Sequence, residues 1–152
     1  MKAGFARAVI TPPVGSSLAG YFEDRRSTGI RDDLYASAAV FDDGTTAGAV
    51  VSCDLVSVDA SIVSAARRLV EKNLGIPGNN VIVHAMHTHT GPPCERIGRH
   101  VSSRGFYVEP SYIDLLPHFI AGSVAAAWHK RGKVTMAAGS AVVHGVAFNR
   151  RY

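Results

Sequence analysis

The sequence predicts an α/β domain in which helices pack on a mixed sheet that contains a β-hairpin and a parallel βαβ unit. Three observations support this fold class. Two apolar runs flank an Asp-Gly pair at residues 43 and 44, the apolar period becomes helical after Asp54, and a further apolar run begins at Val81. The chain has 152 residues, of which 47% are hydrophobic, so it is long enough to form one domain with a buried core.

The first predicted element is a strand over Ala3–Ile10, in which apolar residues alternate before the rigid turn Thr11-Pro12-Pro13. Val14–Asp33 follows and is rich in Gly, Ser and charged residues, without a clear period, which indicates a long loop. Its aromatic and basic residues include Tyr21, Phe22, Arg25 and Arg26. Loops of this length within compact domains are usually functional or mobile.

A β-hairpin is predicted for the segment that ends at Asp54. Tyr35–Asp42 and Ala47–Asp54 are apolar runs of strand length, and the pair Asp43-Gly44 lies between them. Such a pair favours a tight turn, because glycine readily adopts the positive φ that the turn requires. We therefore expect two antiparallel strands joined by a short loop.

A helix and a parallel strand are predicted after the hairpin. Asp59–Leu74 places apolar residues on one helical face, with Ser57 or Asp59 as the N-cap and Gly75 as the stop signal. The next apolar run begins at Val81. Because a strand–helix–strand unit with a right-handed crossover has parallel strands, the carboxyl ends of both strands should lie at one edge of the sheet.

The candidate site lies in the segment Val81–Pro93, predicted to be a buried strand that ends at His87, before a Gly-Pro-Pro turn. Side chains two residues apart in extended backbone point the same way, so we expect His87 and His89 to project together. Asp54 would end the neighbouring strand at the same edge. Either these residues bind a metal or act in catalysis, or they are half-exposed histidines bonded to a loop and an ordinary strand-end carboxylate.

The second half of the chain predicts a loop, a helix and a strand. Cys94–Glu109 is irregular and charged, which favours a surface loop that overhangs the histidine edge like a lid. Pro110 opens a predicted helix over Ser111–His129, which Pro117 should kink. Lys133–Phe148 predicts a last long strand, with two glycines that mark bulges.

Composition argues against several classes of protein. The net charge of +4 is spread over short basic pairs, so no stripe marks a nucleic-acid surface. Cys53 and Cys94 lack the spacing of a zinc knuckle or a redox motif, which favours reduced thiols. The chain shows no signal-peptide pattern, and no apolar run reaches the roughly 18 residues of a membrane helix. We therefore expect a cytoplasmic protein with no transmembrane segment and no nucleic-acid partner.

Several stretches occur in a defined order along the chain. They are Phe5–Gly15, Ala19–Tyr21, Gly29–Ala36, the strand ending in Asp54, His84–Pro92 and Phe148–Arg151. The Ile-Thr-Pro-Pro-Val-Gly opening and the His-Thr-His-Thr-Gly-Pro element are fairly specific, and their combination is more specific than either alone. In this order the stretches resemble the N-terminal part of the neutral/alkaline, non-lysosomal ceramidases, and the resemblance covers essentially the whole chain.

Enzymes of this family are zinc amidases that cleave N-acylsphingosine to a fatty acid and sphingosine. The resemblance implies that His87 is a zinc ligand, that His89 lies beside the substrate, and that Arg150 is the active-site arginine. Zinc would polarise the scissile carbonyl and activate the attacking water. His89 would hydrogen-bond the oxyanion, Arg150 would hold a polar head group or developing charge, and Asp54 would fix an imidazole tautomer.

The resemblance also implies an incomplete domain. The family's second histidine ligand, its glutamate and tyrosine ligands and its serine implicated in catalysis fall beyond Tyr152, so residues 1–152 would be the N-terminal part of a zinc amidohydrolase domain. The expected partners are a lipid or small-molecule amide substrate and the missing C-terminal part, without which the chain should be inactive. Arg151 stands where characterised ceramidases tend to have serine, which puts ceramide itself in doubt as the substrate.

Three alternatives remain open. The chain is compatible with a non-catalytic α/β binding module in which His87 and His89 are structural, and with a shortened relative that acts on another amide or ester. It is also compatible with a small metal hydrolase that uses His87, His89 and Asp54 as a triad, since three protein ligands suffice for a catalytic zinc site. Zinc content distinguishes the binding module from the hydrolases.

Overall fold

The computed structural model describes residues 1–94, 106–149 and 151. Within them, two α-helices accompany a five-stranded sheet of order β4-β3-β2-β1-β5. The elements are β1 (Lys2–Val9), β2 (Tyr35–Asp42), β3 (Ala47–Cys53), α1 (Ala60–Leu74), a 3-10 turn (Gly78–Asn80), β4 (Val81–Ala85), α2 (Pro110–His129) and β5 (Gly132–Lys133). β3 and β4 are parallel and the other neighbours antiparallel, which confirms the predicted α/β fold with a mixed sheet.

The predicted hairpin is formed by β2 and β3, which pair from Ala36 opposite Cys53 to Asp42 opposite Ala47. The loop between them spans residues 43–46, and Gly44 has the expected positive φ of 93°. One carboxylate oxygen of Asp43 accepts the N–H groups of residues 45 and 46 at 2.8 and 2.7 Å. The acidic side chain therefore closes the turn that the glycine permits.

The ends of α1 follow the predicted signals. Asp59 is the N-cap, and its side chain accepts the N–H of Ser61 at 2.7 Å. Gly75 ends the helix in the left-handed conformation, with φ 70°, and its N–H donates to the carbonyl of Glu71. α1 thus completes the βαβ unit and returns the chain to the sheet as β4, parallel to β3.

The core lies between one face of the sheet and the two helices. The buried residues of β2 and β3 on this face are Ala36, Ala38, Val40, Ala49, Val51 and Cys53. α1 adds Ile62, Ala66 and Val70 to the same cluster, and α2 adds Leu116 and Ile120. Since alternate residues of a strand point to opposite faces, the residues between these buried ones lie on the other face, which neither helix covers.

α2 packs closely on β1 because Gly4 offers no side chain at the contact. A Cβ atom at Gly4 would overlap the carbonyl oxygen of Ala127. The hydroxyl of Tyr112 donates to the carbonyl of Ile10 at 2.6 Å, which ties the first turn of the helix to the end of β1. The helix runs without interruption through Pro117, which is buried. None of the helices in the described residues is long and apolar enough to cross a membrane.

The predicted long strand over Lys133–Phe148 is wrong. β5 contains only Gly132 and Lys133, which pair with Ala3 and Lys2. The N–H of Val134 donates to the carbonyl of the first residue at 3.2 Å, and the chain then passes the start of β1. The sequence after Val134 has strand propensity, but β1 offers it no further backbone groups to pair with.

Candidate functional site

The candidate site lies where the chain leaves β4. The strand ends at Ala85, so the prediction that it extends to His87 is wrong. The N–H groups of Met86 and Thr88 still donate to carbonyls of the neighbouring segment, at 3.0 and 3.1 Å, but His87 between them has φ 67°. This conformation is uncommon for a residue with a side chain and often occurs at functional sites. The direction of His87 is therefore set by a turn and not by strand alternation.

The ring of His87 is oriented by the backbone. Its Nδ1 atom lies 3.0 Å from the carbonyl oxygen of Val56. Because a carbonyl oxygen can only accept a hydrogen bond, Nδ1 is the donor of this bond, and in the neutral imidazole the lone pair lies on Nε2. A histidine that ligates a metal through one nitrogen commonly donates its other N–H to such a carbonyl. His87 is exposed, so its Nε2 fits the role of a metal ligand.

His89 lies against His87, but the turn at His87 and not strand alternation brings the two rings together. The two ring centroids are 4.8 Å apart, with an angle of 74° between the planes. On its other side, His89 meets the ring of Tyr21 edge-on at 6.2 Å, and the guanidinium carbon of Arg25 lies 4.5 Å from the centroid of the Tyr21 ring. The loop Val14–Asp33 therefore forms one wall of the site.

Gly20 allows the loop Val14–Asp33 to approach the ring of His89. It has φ 85°, and a Cβ atom there would overlap Nδ1 of the His89 ring. The preceding N–H, of Ala19, donates to the carbonyl of Gly91 at 2.8 Å and fixes the loop to the turn that follows the histidines. Sequence reasoning did not assign Gly20 or Tyr21 to the site. The signal available for them was the Ala-Gly-Tyr stretch among the segments that resemble the ceramidases.

Asp54 has a structural contact at the same edge. Its N–H donates to the carbonyl of Tyr35, and its carboxylate accepts the N–H of Tyr35, both at 2.9 Å. Asp54 thus joins the open end of the hairpin to Tyr35, which agrees with the alternative that it is an ordinary strand-end residue. Among the described residues, no three His, Cys, Asp or Glu side chains are grouped closely enough to hold a metal ion. The triad of His87, His89 and Asp54 is therefore not assembled.

The two cysteines lie in the core instead of the site. Cys53 and Cys94 are both fully buried, and neither forms a disulfide. Burial, together with the nearby charge of Asp54, raises the pKa of the Cys53 thiol to about 12. Since the thiolate is the form that ligates a metal or acts as a nucleophile, Cys53 is inert near neutral pH.

Two predicted parts of the site lie outside the described residues. These are Arg150 and residues 95–105 of the proposed lid. At the far end of that segment, the N–H of Tyr107 donates to the hydroxyl of Ser17, and the N–H of Ser17 donates to the carbonyl of Tyr107, both at 2.7 Å. Tyr107 therefore packs on the loop that forms the wall of the site.

Fold and site together define an α/β domain with a candidate metal-binding histidine at the carboxyl edge of its parallel strands. The chain is similar to neutral ceramidase from Pseudomonas aeruginosa, with a TM-score of 0.72 and 22% identity over 86% of this chain. It is also similar to a ceramidase complexed with C2, with a TM-score of 0.69 and 21% identity over 86% of this chain. The chain therefore has a neutral ceramidase-like fold.

The chain spans 22% and 21% of the lengths of these two structures. No family model matches the sequence, and no curated protein matches it. At this level of identity the likeness concerns the fold, so the activity has to be argued from the site.

Proposed function

We propose that residues 1–152 are the N-terminal part of a zinc-dependent amide hydrolase that resembles neutral ceramidase, with His87 as one of its zinc ligands. The observation that carries the proposal is the bond from Nδ1 of His87 to the carbonyl of Val56, at 3.0 Å. In the neutral ring this bond leaves the lone pair on Nε2, which lies at an exposed position within a fold similar to that of the ceramidases. The remaining ligands would come from polypeptide beyond Tyr152.

The residues of the site have distinct roles in this proposal. Bound zinc would supply a Lewis acid that polarises a carbonyl group and activates water. His89, whose ring meets those of His87 and Tyr21 edge-on, would donate a hydrogen bond to the substrate oxygen on which negative charge develops. Arg150 would bind a polar head group or the developing charge. Asp54 keeps the edge of the sheet in place through its bonds to Tyr35.

The proposed substrate is a lipid amide, with N-acylsphingosine as the reference compound, or a smaller amide. A guanidinium group at Arg150 suits an oxygen-rich head group, because it offers several N–H donors in one plane. Because Arg151 stands where characterised ceramidases tend to have serine, the proposal also includes other amides and esters as substrates. The cytoplasmic location and the lack of a nucleic-acid partner, expected from composition, stay predictions.

Replacing His87 tests the proposal in the polypeptide that extends beyond residue 152. His87→Ala should remove bound zinc and lower zinc-dependent amide hydrolysis by about 100-fold or more, since the metal would lose one of its few protein ligands. Folding should change little, because His87 is exposed and outside the core. Metal analysis, release of fatty acid from N-acylsphingosine and circular dichroism provide the three readouts.

His118→Ala is the matched control, because His118 is an exposed histidine on α2, away from the site. It should leave zinc content and turnover unchanged. Normal zinc content and turnover in His87→Ala would remove His87 from the ligand set. A folded wild-type protein that binds no zinc at all would instead favour the non-catalytic binding module.

A further inference from the structure

The face of the sheet opposite the helices carries an apolar row. The strand registers place Phe5, Ala39, Val50 and Ile82 side by side across β1, β2, β3 and β4. Phe5 is 63% exposed, Val50 37% and Ile82 56%. With neighbouring strands about 4.8 Å apart, the row is about 15 Å long. Phe41 meets Phe5 edge-on at 6.3 Å and widens the row at one end.

The next row on this face is polar and only partly charged. It consists of Arg7, Ser37, Ser52 and His84. The guanidinium carbon of Arg7 lies 4.1 Å from the centroid of the Tyr35 ring, so this side chain lies along the face. A solvent-exposed sheet face usually carries polar residues in every row, whereas contiguous exposed apolar residues mark an interface.

A second apolar region follows β5. Residues 134–148 have no regular secondary structure, and their large apolar side chains are exposed. These side chains are Val134, Met136, Val142, Val143, Val146 and Phe148. The segment is rich in β-branched residues, which favour strands, and after Val134 it belongs to no strand of the described sheet. It therefore has the properties of a strand whose partner strands are supplied from elsewhere.

We propose that the apolar face is covered by a second β-sheet, formed by polypeptide beyond residue 152 together with residues 134–148 as one of its strands. The length comparison supports this occupant, because the chain covers only 22% of the neutral ceramidase structure and most of a protein of that length would be available. The strand character of residues 134–148 supports a sheet in place of a helix. Stacked sheets pack about 10 Å apart with interdigitating side chains, which suits the row of Phe5, Val50 and Ile82.

Cysteine labelling tests whether the face is covered. Cys53 and Cys94 are fully buried, so an introduced Ile82→Cys provides the accessible thiol. It should react rapidly with a maleimide in the 152-residue chain and at least tenfold more slowly in the longer polypeptide that the proposed function requires. Leu115→Cys is the matched control, since Leu115 is 48% exposed but lies on α2, and its rate should change much less.

Hydrogen exchange tests the nature of the cover. Amides of residues 134–148 should exchange freely in the 152-residue chain and become protected in the extended one. Both experiments are run with a chelator present, so they do not depend on zinc binding or on the proposed hydrolysis.

Three results would overturn the proposal. The first is equal labelling of Ile82→Cys in both chains, which would make the face a free surface. The second is a discrete dimer of the 152-residue chain that protects Ile82→Cys, which would make a second copy the occupant. The third is persistent rapid exchange of residues 134–148 in the extended chain, which would exclude them as a strand of the covering sheet.

Discussion

At the scale of single residues, His87 combines a strained backbone with an oriented ring. A left-handed residue with a side chain costs about 1–2 kcal/mol. The hydrogen bond from Nδ1 to the carbonyl of Val56 offsets part of that cost, since a typical bond contributes about 1 kcal/mol net. The turn also brings the ring within 4.8 Å of that of His89. The strained conformation is thus the one that pairs the two imidazoles.

Gly20→Ala should displace His89 without unfolding the chain. The methyl group would overlap the ring of His89, and the backbone at φ 85° would add strain of about 1–2 kcal/mol. We expect the ring-proton signals of His89 to shift in NMR spectra of labelled protein, as the contact with Tyr21 is lost. We also expect a lower free energy of unfolding by urea.

Gly15→Ala is the control that separates the overlap with the His89 ring from the backbone strain. Gly15 has φ 93° and no atom within 4 Å of the position of its missing Cβ, so the substitution adds backbone strain alone. It should lower stability to a similar extent and leave the His89 signals in place. Matching shifts of His89 in both variants would mean that Gly20 does not confine the ring.

At the scale of elements, α1 should depend on its N-cap. Asp59→Ala removes the oxygen that accepts the N–H of Ser61 at 2.7 Å and should lower the free energy of unfolding by about 1 kcal/mol. Asp59→Asn keeps an acceptor in the same place and should retain most of the stability. Urea titrations of the two variants and the native chain measure the difference. Equal stability of the Ala and Asn variants would show that the cap contributes nothing.

Elements with local signals could be predicted from the sequence. The hairpin follows from Asp43-Gly44, and α1 follows from its apolar period together with Asp59 and Gly75. In each case the determining residues lie within a few positions of the element itself. The parallel pairing of β3 and β4 then follows from the helical crossover between them.

Elements decided by tertiary contacts could not be predicted. The sequence of Lys133–Phe148 favours a strand, but only Gly132 and Lys133 find partners, because β1 offers no further backbone groups. Likewise, the apolar run of β4 continues past Ala85, and the turn at His87 involves the distant carbonyl of Val56. The apolar pattern of a segment indicates its propensity to form a strand, but it does not show which other segments will pair with it.

The candidate site divides in the same way. His87 and His89 could be selected from residue type and position, because imidazoles after a buried strand are suited to metal or proton chemistry. Gly20 and Tyr21 could not be assigned by spacing, since they meet His89 only through the fold. Asp54 was selected as a possible site residue, and the structure gives its carboxylate a bond to the N–H of Tyr35.

At the scale of the whole molecule, the two faces of the sheet differ in how far they are buried. The helices bury one side of the sheet, whereas the other side exposes Phe5, Val50 and Ile82. At the candidate site, the described residues provide one imidazole that the backbone orients, that of His87. Both features agree with a chain that spans 22% of the length of the neutral ceramidase structure.

The 152-residue chain should therefore bind zinc weakly and show no amidase activity. A complete structural zinc site contributes about 10–16 kcal/mol, so one imidazole out of four ligands would provide about 2.5–4 kcal/mol, or a dissociation constant of about 1–15 mM. His89 lies close enough to His87 to assist, but the carboxylate of Asp54 is engaged with Tyr35. Calorimetry with zinc and an amide-release assay on this chain measure both properties, with His118→Ala as the control for adventitious binding to an exposed histidine.

Sub-micromolar binding at one site, lost in His87→Ala and accompanied by turnover, would instead identify the chain as a self-sufficient hydrolase. That result would require Asp54 to exchange its bond to Tyr35 for the metal.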